Sequence, residues 1–432
     1  MIRKKSLRTT AIATKVEYVV DEITTYIDNL NRRGNLSPED FSNTVLLIAE
    51  LLPLTENQDL WVDLGYRICK HMKEIMESYG CNHETDMFGG LGYQCFSINA
   101  FCKESSILQN FANSVNKVLF WAVKNRLNQI KNLPTYDSNY DMISGISGNL
   151  YYLLDCDCTQ EEENTVVECI EYLLSLTKDT VFEGKDIVRF HILQPNQNPN
   201  FDQDDLKKGS INFGLAHGML GPLLALSKAY SRGFQVDGLR EGIEKIYHLY
   251  ELFKSSNRED VPYWPGTITV EEYWNGICRP EHLHRPCSWC YGNAGILRGL
   301  QKVASYMNWS GREQIHVEAM KRFLSQDVKA YDLFSPSLCH GFSSLVAIQT
   351  CAYAAYGDPG LLTNLERNVQ KVIAGYQKNN EREFRLMDIR DGTIWIEGYL
   401  KDLSLLTGST GIAITLLSLR GKMKTGKLLM ID

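Results

Sequence analysis

The chain has 432 residues, 44% apolar and 22% charged, with a formal net charge of −7 and an isoelectric point near 5.8. That is a globular composition with ample material for a core; without a Lys/Arg cluster interleaved with aromatics, it argues against nucleic-acid binding. The longest apolar runs, such as Val45 to Ala49, fall far short of the ~20 residues a membrane span needs.

The chain starts basic, Met1 to Arg8, but Lys15, Glu17 and Asp21 interrupt any apolar core of a signal peptide. From Val16 the apolar positions Val19, Val20, Ile23, Ile27 and Leu30 recur at three and four, which predicts an amphipathic helix. Ser37-Pro38-Glu39-Asp40 predicts a helix start, with serine as cap, proline in the first turn and acids at the positive dipole end. Thr159 to Glu162 reads as a capping box ahead of Val166, Val167, Ile170 and Leu173. Asp358-Pro359 predicts another helix start, running through Leu361, Leu365, Val369 and Ile373. Strand signals are few: Asp186 to Leu193, Tyr263 to Tyr273, and Phe384 to Tyr399 around an Asp391-Gly392 turn.

A repeat organises these elements. Gly-x-x-Gly recurs at Gly89/Gly92, Gly145/Gly148, Gly218/Gly221, Gly292/Gly295 and Gly408/Gly411, with Gly341-Phe-Ser-Ser344 as a degenerate sixth copy. Most copies lead into an apolar run, among them Leu150 to Leu154, Leu223 to Leu226, Leu345 to Ile348 and Ile412 to Leu417. Helices apolar all round must be buried, and the amphipathic ones between them must cover them. The expected fold is therefore all-α, an α/α toroid of inner and outer helices. We expect a single domain over 1–432 with small β-containing insertions near 183–213, 256–285 and 380–400. The glycines let backbones approach closely where inner helices begin.

The reactive side chains fall at these same corners. Asp141 precedes Gly145, His217 precedes Gly218, Cys290 and Tyr291 precede Gly292, and Cys339-His340 precede Gly341. Two thiols and an imidazole, Cys290, Cys339 and His340, complete three-quarters of a tetrahedral zinc shell and leave one position open, the layout of a catalytic site. His217 is the acid–base candidate, since an imidazole titrates near neutral pH, and Asp141 can hold it or cap a helix. A rival reading takes His282, His284, Cys287 and Cys290 as a closed local zinc knuckle, and spacing alone favours neither. The 12 cysteines do not read as a disulfide framework in a chain of this length. Cys69, Cys169 and Cys351 sit inside helical patterns as small hydrophobes, and a reducing cytoplasm is the expected location.

Gly214-Leu-Ala-His-Gly218, Trp289-Cys-Tyr-Gly292 and Cys339-His-Gly341, with the set of glycine corners, resemble the lanthionine synthetase C-like (LanC) cyclase family from about Gly89 to Leu419. The resemblance implies an α/α toroid with Zn²⁺ held by Cys290, Cys339 and His340. It implies an acid–base histidine at His217, an aspartate at Asp141 and a tyrosine at Tyr291. The family's arginine before Trp-Cys-Tyr-Gly is matched best by Arg285, with one residue more before Cys290. The implied reaction is a Michael addition: precursor-peptide cysteines attack dehydroalanine or dehydrobutyrine to give lanthionine or methyllanthionine rings. The implied partners are a precursor with its leader peptide, a dehydratase and a membrane exporter complex, which would hold the protein at the membrane periphery. Two other readings keep the thiol chemistry: a LanC-like glutathione-binding or scaffold protein, and a zinc-dependent prenyltransferase-type thiol alkylation, though the latter lacks a basic cluster for diphosphate.

Overall fold

The computed structural model describes residues 10–432 except 82–83, 198–205, 258, 284–286, 381–383, 388–392 and 397. Helix α1 (Thr10–Arg32) buries Val16, Val19, Val20, Ile23 and Ile27, the stripe that its spacing predicts. The start expected at Ser37 is one 3-10 turn, Pro38–Asp40, running into α2 (Phe41–Leu51), in which every residue is buried. Next come α3 (Gln58–Tyr79), α4 (Leu91–Ser105), α5 (Gln109–Ile130), the single turn α6 (Asp137–Tyr140), and α7 (Ile146–Leu153). Helix α8 (Gln160–Leu176) opens on the expected capping box, the Glu162 amide donating to Thr159 Oγ1 while Glu162 Oε2 takes the Thr159 amide.

The first insertion holds β1 (Asp179–Phe182) paired with β2 (Lys185–Val188), and then β3 (Ser210–Asn212). The strand expected through Leu193 stops at Val188. Helices α9 (Leu220–Ser231) and α10 (Leu239–Leu252) follow, then β4 (Ser255–Ser256), β5 (Pro262–Tyr263) and β6 (Thr267–Thr269), which pairs back onto β3. The strand expected up to Tyr273 gives way to α11 (Val270–Asn275), because Thr269 and Glu272 form a second capping box. Helices α12 (Asn293–Tyr306), α13 (Ser310–Leu324) and α14 (Phe342–Tyr356) come next. Asp358 caps only a 3-10 turn, Pro359–Leu362; Asn364 then takes φ +60°, so α15 (Leu365–Asn380) begins six residues later than Pro359 suggests. Strands β7 (Phe384–Met387) and β8 (Thr393–Ile396) pair as an antiparallel hairpin, its expected Asp391-Gly392 turn lying outside the described residues. The short α16 (Gly398–Lys401), α17 (Ser409–Leu417) and α18 (Thr425–Leu428) close the chain.

Two compact units result, one of residues 1–83, 89–116 and 327–432, the other of 84–88 and 117–326. In the first, α2, α4, α14 and α17 form the inner layer: α2 packs on α4 and α17, and α17 on α14. Amphipathic α1, α3 and α15 cover them. In the second, α7, α9 and α12 pack side by side inside α8, α10 and α13. The inner helices expose no polar face, and each fully buried Leu or Ile contributes about 1.5–3 kcal/mol of transfer free energy; the outer ones are held by one stripe only.

Glycine N-caps in extended conformation precede α7, α12, α14 and α17, at Gly145, Gly292, Gly341 and Gly408. Their φ values are negative, so close approach and not a left-handed turn explains them. A Cβ on Gly145 would lie 2.2 Å from the Asp141 amide nitrogen, and one on Gly341 2.3 Å from the Ser335 carbonyl oxygen. Helix α2 is also fully inner, but a proline turn opens it, which is why the glycine repeat misses it.

Candidate functional site

The Asp141 corner is built by its own carboxylate. Asp141 is 1% exposed, and its Oδ1 accepts the backbone amides of Ile143, Ser144 and Gly145 at 3.0, 2.8 and 2.8 Å. This ties the turn between α6 and α7 and leaves Oδ2 for His217 Nδ1, which lies 2.6 Å away. The sequence left open whether Asp141 holds the imidazole or caps a helix. One oxygen meets the imidazole and the other ties the turn, while the N-cap of α7 is Gly145.

His217 sits in the loop between β3 and α9. Burial alone would lower its pKa, but the hydrogen bond and charge of Asp141, with Asp137 and Cys290 adding to them, hold it above the ordinary histidine value. The imidazole is 35% exposed, so it is reachable. Its outer face lies against Tyr291, ring centroids 5.7 Å apart with planes 30° from parallel.

The Cys290 corner is fastened to this loop by backbone. The Cys290 carbonyl accepts the amides of both Leu215 and Ala216, at 2.8 and 3.0 Å, and the Met142 amide donates to the Ala216 carbonyl at 3.2 Å. Gly214 leaves no room between the two: a Cβ there would meet Tyr291 Cδ1 at 2.8 Å and the Cys290 oxygen at 3.0 Å. Cys290 is buried, its Sγ 3.6 Å from Ser288 Oγ, and Trp289 beside it packs against Phe88 with centroids 5.8 Å apart. The acid, the imidazole, the phenol ring and the first thiol's corner thus lie together.

Cys339 and His340 close the loop before α14. The Cys339 amide donates to the Leu406 carbonyl at 2.8 Å, the Gly341 amide to the Ser337 carbonyl at 3.1 Å, and Ser343 Oγ to the Pro336 carbonyl at 2.5 Å. One ligand atom from each of Cys290, Cys339 and His340 lies within 4.8 Å of the others, and this is the group of such side chains found among the described residues. Two sulfurs and one imidazole nitrogen make a soft donor set that fits zinc.

The rival knuckle draws on a histidine engaged elsewhere. His282 Nδ1 lies 2.8 Å from Glu272 Oε2, and Glu272 also accepts the amides of Thr269 and Arg279. Arg285 and His284 lie outside the described residues. Sequence reasoning missed the double acceptance at the Cys290 carbonyl, since a backbone group leaves no trace in residue type. It also passed over Asn212, although an Asn two residues before a glycine is an Asx-turn signature.

The model of the family described as lanthionine synthetase C-like protein matches residues 42–430. The chain is 26% identical over 310 residues to the nisin biosynthesis protein NisC of Lactococcus lactis subsp. lactis, covering 70% of each chain. A solved structure of nisin cyclase superposes with a TM-score of 0.78 at 18% identity over 98% of both chains. That likeness carries the fold, an α/α toroid, and the fold class expected from the glycine repeat is the one found.

Proposed function

Because the chain belongs to the lanthionine synthetase C-like family, we propose that it is a zinc-dependent lanthipeptide cyclase. Its substrate is a leader-bearing precursor peptide in which a dehydratase has already turned serine or threonine into dehydroalanine or dehydrobutyrine. The observation that carries this reading is the Cys290, Cys339 and His340 group, in a family member that resembles the nisin protein NisC. Among the described residues no helix is long and apolar enough to cross a membrane; a cytoplasmic enzyme, peripheral to the membrane through an exporter complex, is the proposed setting.

Cys290, Cys339 and His340 would hold the zinc. When bound there it lowers the pKa of a substrate cysteine, ordinarily near 8.5, so that the nucleophilic thiolate is present at neutral pH. The substrate sulfur forms a bond to the β-carbon of the dehydro residue, and the alkene electron pair moves onto the adjacent carbonyl as an enolate. Collapse of the enolate needs one proton at the α-carbon. His217, whose hold on its proton Asp141 strengthens, is the donor, and the substrate thiol's proton restores the balance through solvent. Tyr291 beside His217, with Arg285, is proposed to steady the enolate oxygen.

The test uses a precursor carrying one dehydroalanine and one cysteine. Ring closure leaves the mass unchanged, so free thiol is trapped with an alkylating reagent and counted. Loss of free thiol with the zinc-loaded chain, and none with His217→Ala beyond the background rate, is expected. A His217→Ala chain closing rings at the unaltered rate would remove His217 from the mechanism.

A further inference from the structure

The loop that carries His217 is folded around one side chain. Asn212, the last residue of β3 and 3% exposed, accepts the Gly214 amide on its Oδ1 at 2.8 Å, while its carbonyl accepts the Met219 amide at 2.9 Å. Both ends of the His217 loop therefore close on Asn212. Side-chain acceptance two residues on is an Asx turn, in which a carboxamide oxygen stands in for a backbone carbonyl. The packing leaves no slack: a Cβ on Gly218 would fall 2.4 Å from the Gly214 nitrogen and 2.6 Å from Asn212 Oδ1.

Asn212 is itself fixed from behind. Its strand pairs with β6, Asn212 opposite Thr267, and the next residue, Phe213, donates to the Gly266 carbonyl at 2.9 Å and accepts Tyr250 Oη–H on its carbonyl at 2.8 Å. The loop that Asn212 shapes presents the Leu215 and Ala216 amides to the Cys290 carbonyl, and His217 to Asp141. We propose that Asn212 is the positioning residue of the acid–base group: its carboxamide oxygen sets the loop in which His217 meets Asp141, in register with Cys290. The proton-donor role of His217 rests on the cyclase reading; its placement by Asn212 does not. The oxygen carries this role. Among the described residues the Asn212 Nδ2 makes no hydrogen bond, so Asn212→Asp keeps the turn and Asn212→Ala deletes it.

The experiment compares wild type, Asn212→Ala and Asn212→Asp as full-length, zinc-loaded chains labelled with ¹⁵N-histidine. Three quantities are read: the His217 imidazole resonances, zinc per chain, and kcat and KM for ring closure. For Asn212→Ala we expect the Nδ1 proton signal of the His217–Asp141 bond to weaken or move, kcat to fall about 100-fold, as a displacement of about 1 Å in a reacting group does, and KM and zinc content to hold. Asn212→Asp should return the signal and at least a tenth of the wild-type kcat. An unmoved imidazole signal in Asn212→Ala overturns the proposal whatever the rate does, and so does Asn212→Asp behaving like the alanine variant. If Asn212→Ala does not fold, the aspartate variant alone decides. A wild type that closes no rings sinks the cyclase reading, yet leaves the imidazole comparison to judge Asn212.

Discussion

Asp141 has two jobs on two oxygens, and two substitutions separate them. Asp141→Ala strips the acceptor from the amides of Ile143, Ser144 and Gly145. An unsatisfied buried amide costs about 1–3 kcal/mol; with one of the three fully buried and two partly so, the loss should be about 3–6 kcal/mol. Asp141→Asn retains an oxygen for the amides, so its unfolding free energy should stay within about 1 kcal/mol of wild type, but it turns an N–H toward His217 Nδ1. The imidazole then loses the partner that holds its charge, and ring closure should slow by about 10²–10⁴-fold, the range lost when a buried carboxylate behind a catalytic histidine becomes an amide. The His217–Asp141 pair also has a pH signature. The folded pKa of His217 is raised, so the stability that the pair supplies is complete below about pH 6.5, the unfolded value, and fades as the pH rises through the folded one. The gap between wild type and Asp141→Asn in urea unfolding should therefore be larger at pH 6 than at pH 9. Urea titrations at both pH values and thiol-trapping kinetics at neutral pH read all of this. An Asp141→Asn chain as fast as wild type, or an Asp141→Ala chain as stable, would refute the division of labour.

Other consequences concern the frame. His316 is buried against Tyr247 Oη at 2.7 Å, and burial, helped by Lys254 and Arg312, lowers its pKa to about 4. A depressed histidine stabilises the fold at neutral pH and loses that contribution as the pH falls from about 6.5 toward 4, about 3 kcal/mol in all; His316→Phe should flatten the urea midpoint across that window. Gly295→Ala would place a Cβ 1.9 Å from the Trp289 carbonyl oxygen, in the turn that carries Cys290. It should cost about 3 kcal/mol or more in thermal or urea unfolding and lower the zinc content, whereas at Gly311, where a Cβ meets nothing within 4 Å, alanine should change neither. Cys287→Ala should leave zinc stoichiometry unchanged, and zinc lost in that variant would favour the local knuckle.

The layered architecture was legible because it rests on composition. Runs such as Ile412 to Leu417 have no polar face, so they must be inner helices, and the glycine pairs mark where such helices start against foreign backbone. Helix α2 escaped the pattern because Pro38, not glycine, opens it. Boundaries failed where local chemistry competed: Asn364 in a left-handed turn delays α15, and Thr269 with Glu272 turns an apparent strand into α11. At the site, residue type pointed to His217, Asp141, Tyr291 and Cys290, since each stands within four residues of a corner glycine. What holds them could not be read that way. The Cys290 carbonyl and the Asn212 turn act through backbone geometry, which exists only once β3, its loop and the Cys290 corner have packed together.

Metal stoichiometry tests the central claim most directly: zinc per chain, by elemental analysis after dialysis from saturating zinc, for wild type beside Cys290→Ala. We predict one zinc ion per wild-type chain and a near-total loss in the variant. A wild-type chain that retains no zinc, or a Cys290→Ala chain that retains its full complement, would contradict the account.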